Sequence, residues 1–426
     1  MNPDNTMSSS SLGSVDMRIP VTLLTGFLGA GKTTLLNQLM SHPDMAGTAI
    51  LINEFGEIGI DHYLVDKVDE SLMILDSGCI CCSVQGDLVR ALKNLMQRSS
   101  LREIPPIKRI LIETTGLADP VPVIYTLTQD VFIAARFMCD GVITVVDATH
   151  GDEQLNQYPE VIRQVATADR LLITKCDLAD ATAKQALIVR LSGFNPGAKK
   201  IEVKQGQIEP SLFFGCGLYS SVGKSADVAK WLGEIEEEKQ QAGNPELNGA
   251  FNWTRKGSLS PLVKTKSAVR HQDNIRSFVI TFDEAVSWYS FAVAMGRLLH
   301  DYGDRILRVK GLMNVIGDVK PYVIHCVQNV AYPPLKLNEW PQQKPFSDQR
   351  GRLVFITRDL TREMISTRLH HMATVESNIA AAKAMARSLA LPTKCWLDHT
   401  VVPSAGASII EHAGWVIQTK KLKTGS

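Results

Sequence analysis

The first half of the chain alternates short apolar runs with stretches whose apolar residues recur at helical spacing. Apolar, β-rich runs occupy residues 21–25, 48–52, 72–75, 110–112, 142–146 and 171–173. Leu35, Leu36 and Leu39 continue the first run at helical spacing, and helical stretches follow Ser83 and Gln154. Strands alternating with helices predict an α/β fold, a mostly parallel sheet covered by helices. In such sheets ligands gather at the carboxyl ends of the strands. From about Gly215 to Gln272 the pattern gives way to polar sequence, including "GEIEEEKQQAGNPELNGAF", which reads as a linker.

Patterning resumes with strand-like alternation at residues 277–282. Residues 283–300 then fit an amphipathic helix with Trp288, Phe291, Met295 and Leu298 near one face. A strand at 306–309, a turn at Gly311, strands in "YVIHCVQNV" and "RLVFITRDL", and a helix over 362–371 predict a smaller C-terminal α+β domain. An Ala-rich helical stretch, 376–391, opens a tail without a functional reading, compatible with a docking helix or a homodimer contact. The predicted organisation is a leader (1–16), a nucleotide domain (17–214), a polar linker (215–272), an α+β domain (273–372) and a tail (373–426).

Composition excludes several classes. The 426 residues allow two or three domains. A net charge of +1, from 45 basic and 44 acidic side chains, argues against a partner recruited by bulk charge, such as nucleic acid or a membrane surface. No apolar run approaches the roughly 18 residues of a membrane span. The leader is polar and Ser-rich, without an apolar signal core, and points to the cytoplasm. Of eight cysteines, Cys139, Cys176, Cys216, Cys326 and Cys395 are scattered and read as inert thiols.

The strongest chemical signal is "GFLGAGKTT". Gly26 to Thr33 fit G-x-x-x-x-G-K-[ST] between a strand and a helix, the context of a P-loop. Gly26, Gly29, Ala30 and Gly31 can turn backbone N–H groups toward phosphate oxygens at a helix N-terminus. Lys32 should then reach the β- and γ-phosphates, with the Thr33 hydroxyl on Mg²⁺ and Thr34 beside it. In "ILIETTGLADP", Glu113 and Gly116 follow a strand as a Mg²⁺- or water-positioning acid and a γ-phosphate-sensing glycine would. In "LLITKCDLAD", Thr174, Lys175 and Asp177 form a K-x-D pattern in which the aspartate can accept from guanine N1 and N2. Adenine lacks that donor pair, so the motif favours GTP over ATP. Thr174 stands where such loops usually carry Asn.

"LDSGCICCSVQGDL" places Cys79, Cys81 and Cys82 within four residues, before an expected helix N-terminus that would lower thiol pKa values. Three thiolates suit Zn²⁺ or Cu(I), and three ligands fit an open, exchangeable site better than a closed structural one. Glu57, in the glycine- and acid-rich loop "NEFGEIGID", is a candidate fourth ligand. The same thiols could serve as a redox set or as packing residues, and small-molecule kinases share the P-loop.

Taken in order, "GFLGAGKTT", "NEFGEIGID", "GCICC", "ETTGLADP" and "TKCD" resemble the CobW-type family of P-loop GTPases, over about Arg18 to Leu178. The element "GDRILRVKG" resembles part of that family's C-terminal domain. The resemblance implies a GTP- and Mg²⁺-dependent metallochaperone that carries Zn²⁺ or Co²⁺ on Cys79, Cys81 and Cys82 and passes it to a client metalloprotein on hydrolysis. It maps the Walker B glutamate to Glu113 and the base loop to Lys175 and Asp177. Many relatives carry a His-rich tract in the linker, where this chain has only His271. Two rival readings are a metal-insertion activator for a cobalt or iron enzyme, such as nitrile hydratase or a cobalamin-synthesis factor, and a redox-sensing protein with structural nucleotide. The pairs His325/Cys326 and His370/His371 are weaker metal candidates; His325 and Cys326, adjacent on a strand, point to opposite faces.

Overall fold

The computed structural model describes residues 17–52, 73–76, 84–216, 275–342, 344–370, 379–398, 411–412 and 415–416. Its first part is a seven-stranded sheet in the order β3-β2-β4-β1-β5-β6-β7. The strands are β1 (Ile19–Gly26), β2 (Thr48–Ile52), β3 (Met73–Asp76), β4 (Arg109–Glu113), β5 (Phe137–Asp147), β6 (Arg170–Thr174) and β7 (Lys199–Glu202), and every pairing is parallel. Helices cover both faces, so the inner strands are buried apart from the first one or two residues of β1, β4 and β6, and all eleven residues of β5 are buried. That is why these strands read as continuous apolar runs. The β7 segment "KKIE" carries no such run because it is a short, half-exposed edge strand, and the sequence reading missed it.

The helices that position the site are α1 (Lys32–Met40), α2 (Val84–Ser100), α3 (Val121–Gln129), α4 (Val131–Ala134), α5 (Gly151–Gln157) and α6 (Pro159–Thr167). Pro159 divides the helical stretch after Gln154 in two: a proline cannot continue α5 but suits the first turn of α6.

The second part is an antiparallel sheet in the order β11-β10-β9-β13-β8, with β12 beside β10. Its strands are β8 (Ile275–Phe282), β9 (Ile306–Met313), β10 (Tyr322–Val327), β11 (Val330–Ala331), β12 (Leu335–Lys336) and β13 (Gly351–Arg358). Two expectations are corrected here. The helix expected from residue 283 begins at Trp288, after Ser287 as its N-cap, and ends at Tyr302. It is more deeply enclosed than the predicted face alone requires, with Ser290, Ala292, Val293 and Ala294 also buried, and its polar face is confined to Arg297, His300 and Asp301 in the last turns. Gly311 does not turn the chain. It lies inside β9, paired with Ile324 and Leu353, where a Cβ would stand 1.9 Å from the Arg352 carbonyl oxygen. The glycine is needed for the close approach of strands, which in sequence looks the same as a turn signal.

Part of the tail belongs to this core. Ala382, Ala386, Leu391, Trp396 and Leu397 pack with Trp288 and Phe291. Trp396 is fully buried, with its indole N–H donating to the Tyr332 carbonyl at 2.7 Å, and the Trp288 indole donates to the Trp396 carbonyl at 2.8 Å. Both polar handles are therefore satisfied in an aromatic cluster whose ring centroids lie 5.7–6.0 Å apart.

The two sheets share a polar and an apolar junction. Val327, Val330 and Tyr332 of the β10–β11 hairpin join the core that includes Val121, Ile124 and Cys139. Nearby, the buried Asp169, just before β6, receives Lys310 at 2.8 Å and Arg308 from β9, while Arg308 also donates to the carbonyls of Thr167 and Ala168. Burial raises the Asp169 carboxyl, but Arg308, Lys310 and His325 outweigh it and hold the group well below the usual carboxylate range. Burial, with Arg308 beside it, pushes Lys310 down to about 7.

Candidate functional site

The carboxyl ends of β1, β4, β5 and β6 meet at one edge of the parallel sheet, and the predicted nucleotide residues fall there. The loop after β1 turns on Gly26, Gly29 and Gly31 at φ values of 139°, 73° and 93°. Gly31 caps α1 in the left-handed conformation, which a side chain would strain. The Lys32 ammonium donates to the carbonyls of Gly26 at 2.8 Å and Phe27 at 3.3 Å, so it lies folded over the loop. Thr33 and Thr34 follow in the first turn of α1. The loop is covered on one side by Tyr158, whose ring centroid is 4.5 Å from that of Phe27.

Glu113 ends β4 and is buried between β1 and β2, paired with Leu24 and Ile52. Thr114 clamps the two strand ends, its backbone N–H donating to Leu24 and its hydroxyl to the Thr25 hydroxyl at 2.9 Å. Gly116 lies against the P-loop so closely that a Cβ would stand 2.5 Å from the Leu28 nitrogen. The loop bearing Gly116 is held from α6: the buried Gln164 amide donates to the carbonyls of Gly116 at 3.1 Å and Ala118 at 3.0 Å.

At the end of β6 the Thr174 hydroxyl donates to the Ala30 carbonyl at 2.7 Å and lies 3.3 Å from the Val146 carbonyl. Thr174 therefore braces the P-loop from beneath, and a hydroxyl suffices for that bond without the longer amide of Asn. Lys175 follows with φ 54° and donates to the Asp147 carboxylate at 2.7 Å; Asp177 is exposed beyond it. Asp147 was missed in the sequence. It is buried, and it also accepts from the Thr149 backbone at 2.8 Å and hydroxyl at 2.6 Å. Burial raises its carboxyl, but the bonds from Lys175 and Thr149 prevail and hold it below its ordinary value. The available signal was an acid closing the apolar run at 142–146.

Cys79, Cys81, Cys82 and Glu57 lie outside the described residues. The flanking strands show where their segments depart. Ile52 pairs with both Asp76 and Glu113, so segment 53–72 leaves the sheet one strand from Glu113 and segment 77–83 leaves two strands away. At strand spacing that is about 5 and 10 Å. Among the described residues no group of three or more His, Cys, Asp or Glu could hold a metal ion. His325 stacks on Tyr332 at 4.1 Å while Cys326 packs into the C-terminal core, so the two do not converge. His371 is not among the described residues. The scattered thiols Cys139, Cys216 and Cys326 are buried, and burial raises all three, Cys139 to about 12.

A glycine loop between the central parallel strand and its helix, facing the acid that ends the next strand, defines a P-loop nucleoside triphosphatase with an antiparallel domain docked on its flank. Residues 20–202 match the CobW/HypB/UreG nucleotide-binding domain, and residues 275–373 match the cobalamin synthesis protein cobW C-terminal domain. The zinc chaperone YjiA of Escherichia coli is 33% identical over 347 residues, spanning 82% of this chain and 96% of that one. The zinc-regulated GTPase metalloprotein activator 1 of Saccharomyces cerevisiae is 26% identical over 84% of this chain and 85% of its own length. The crystal structure of Zn(II)-bound YjiA GTPase from E. coli superposes with a TM-score of 0.56 at 28% identity, covering 83% of this chain and 99% of that one. The chain belongs to the CobW-type family of P-loop GTPases, and it is a GTPase. Among the described residues no helix is long and apolar enough to cross a membrane.

Proposed function

We propose that this chain is a GTP-driven metallochaperone. It takes up Zn²⁺, or Co²⁺ as the alternative cargo, on Cys79, Cys81 and Cys82 with Glu57, and it releases the ion to a client metalloprotein on hydrolysis. The observation that carries this reading is the shared edge. The strands that precede the segments bearing Glu57 and the cysteines, β2 and β3, end within about 10 Å of Glu113, and the relatives named above are a zinc chaperone and a GTPase metalloprotein activator. A change at the γ-phosphate would then begin beside the strand ends Ile52 and Asp76, from which these segments continue, and switching of this kind is how nucleotide state is commonly transmitted.

Lys32 would exchange its bonds to Gly26 and Phe27 for the β- and γ-phosphates. Asp177 would accept from the guanine edge, with Lys175 held in place by Asp147. The residues suit Mg²⁺: Thr33 and Glu113 offer the hard oxygen donors it prefers. The Thr115 hydroxyl oxygen, two residues after Glu113, is buried with no hydrogen-bond partner among the described residues, an unsatisfied polar atom next to these donors. Bound there by Thr33 and Glu113, the ion would neutralise charge on the phosphates.

The test is Zn²⁺ and Co²⁺ affinity by chelator competition, with Mg²⁺ and a non-hydrolysable GTP analogue against Mg²⁺ and GDP, repeated with Cys81→Ser/Cys82→Ser. Tighter metal binding with the analogue, lost in the variant, is expected, and the same titration ranks the cargo metals. Equal affinity in both nucleotide states removes the gating and returns weight to a redox or structural role for the thiols.

A further inference from the structure

The β10–β11 hairpin of the C-terminal domain lies along α3 and reaches both of its ends. At the far end of α3 the Gln129 amide donates to the Ala331 carbonyl at 3.5 Å. At the hairpin tip Gln328, with φ 49°, donates to the Asp119 carboxylate at 3.2 Å. Asp119 closes the loop that begins at Gly116. It also accepts from the Val121 backbone at 3.0 Å, fixing the start of α3, and pairs with Arg163 of α6 at 3.5 Å. One and three residues before Asp119, Gln164 holds the carbonyls of Ala118 and Gly116.

Gln164 is fully buried, and its backbone carbonyl accepts from Thr144 of β5 at 2.8 Å, so its amide projects from a fixed point. Its side-chain oxygen is buried with no hydrogen-bond partner among the described residues. A buried amide left half satisfied is costly. Its retention where only its donors are used is explained if those donors have a task at the loop. The next turn of α6 ends on Thr167, whose carbonyl, with that of Ala168, receives Arg308 of β9. The loop nearest the P-loop is therefore tied to the C-terminal domain twice: directly through Asp119 and Gln328, and through Gln164 and α6 to Arg308.

We propose that Gln164 and Gln328 are positioning residues for the Gly116–Asp119 loop, and that through them the γ-phosphate and the C-terminal domain bias one another. This rests on the reading that Gly116 faces the γ-phosphate. Movement of Gly116 toward a phosphate oxygen pulls on Ala118 and Asp119, and these bonds resist or favour it according to how the hairpin is seated. Coupling of this kind is reciprocal, so GTP must also change the hairpin.

The test uses the full chain with Gln328→Ala, Gln164→Leu and, separately, Gly116→Ala. For each we measure affinity for a GTP analogue and for GDP, kcat and KM for GTP, and the melting temperature; amide exchange at residues 327–332 is followed in the parent. Loss of a single hydrogen bond should change the GTP-to-GDP affinity ratio or kcat by about three- to tenfold. GDP affinity should stay within about twofold, and the change should appear in Gln328→Ala, whose partly exposed tip residue is not part of the core. In the parent, the analogue should change exchange at 327–332 relative to GDP. A merely structural role would lower the melting temperature and leave the ratio alone. If Gly116→Ala shifts the ratio while Gln328→Ala and Gln164→Leu do not, or if hairpin exchange ignores the nucleotide, the coupling is refuted. If Gly116→Ala leaves the ratio unchanged, the γ-phosphate reading itself fails.

Discussion

Replacing Asp169 with alanine should weaken the docking of the two domains strongly. Asp169 is 7% exposed, and its partners Arg308 and Lys310 are 2% and 6% exposed. Truncation leaves two buried cations facing each other without their shared anion. Breaking a buried pair by removing one partner costs about 3–5 kcal/mol. It also strands the backbone N–H of Val142, which donates to Asp169 at 2.9 Å. With a urea slope of about 3 kcal/mol/M, the midpoint should fall by about 1–1.7 M. The variant should recover in part at alkaline pH. Lys310 already sits near 7, and without Asp169 it sheds its proton more readily, which removes one of the two uncompensated charges. In the parent, Asp169 has a folded value below its ordinary 3.8, so its contribution is complete above about pH 4 and is lost as pH falls through the folded value. Replacing all three charges, Asp169→Leu/Arg308→Met/Lys310→Met, should cost much less than Asp169→Ala alone. The assay is urea unfolding followed by tryptophan fluorescence, since Trp288 and Trp396 report the C-terminal core. A loss below about 1 kcal/mol at pH 7, or a triple variant worse than the single one, would refute the reasoning.

Three further outcomes are expected. Thr174→Val removes the bond to Ala30 and should weaken GTP and GDP equally, by about 1–2 kcal/mol in calorimetric titration, whereas Thr174→Asn should retain most of the affinity; an unequal effect on the two nucleotides would contradict the bracing role. Asp177→Asn should cut GTP affinity roughly ten- to a hundredfold, because an amide cannot accept from both guanine N–H groups, while xanthosine triphosphate should gain; unchanged selectivity in a competition assay would exclude Asp177 from base recognition. Gly311→Ala drives a Cβ into the Arg352 carbonyl and should destabilise by about 3 kcal/mol or more, read as a lowered melting temperature, with little effect if β9 and β13 can move apart.

The nucleotide edge was legible in the sequence because its signals are local. Gly26 to Thr33, Glu113 with Gly116, and Thr174 to Asp177 each follow an apolar run at a strand end, and a parallel sheet brings strand ends together whatever the loop lengths between them. Patterning also marked β1, β2, β4 and β6 to within one or two residues, since burial on both faces leaves a continuous apolar run. The register that puts Ile52 between Asp76 and Glu113 was not legible, nor was the strand order that makes those neighbours.

What the sequence pointed to by itself was therefore a class of chemistry, through a phosphate-binding loop, a K-x-D pattern and a cluster of cysteines, each contained in a few consecutive residues. What only the tertiary structure decided were the contacts between residues far apart in the chain. Asp169 and its cations are separated by 139 and 141 positions, and Asp119 and Gln328 by 209. An aspartate before a strand or a glutamine in a hairpin turn has the ordinary look of a solvated residue. Its partner becomes definite only when two independent sheets have formed and packed, because the pairing energy arises from burial at their junction and from nothing in the local sequence. Gly311 shows the same division: its lack of a side chain is plain in the sequence, but whether that serves a turn or a close strand approach depends on where Arg352 comes to lie.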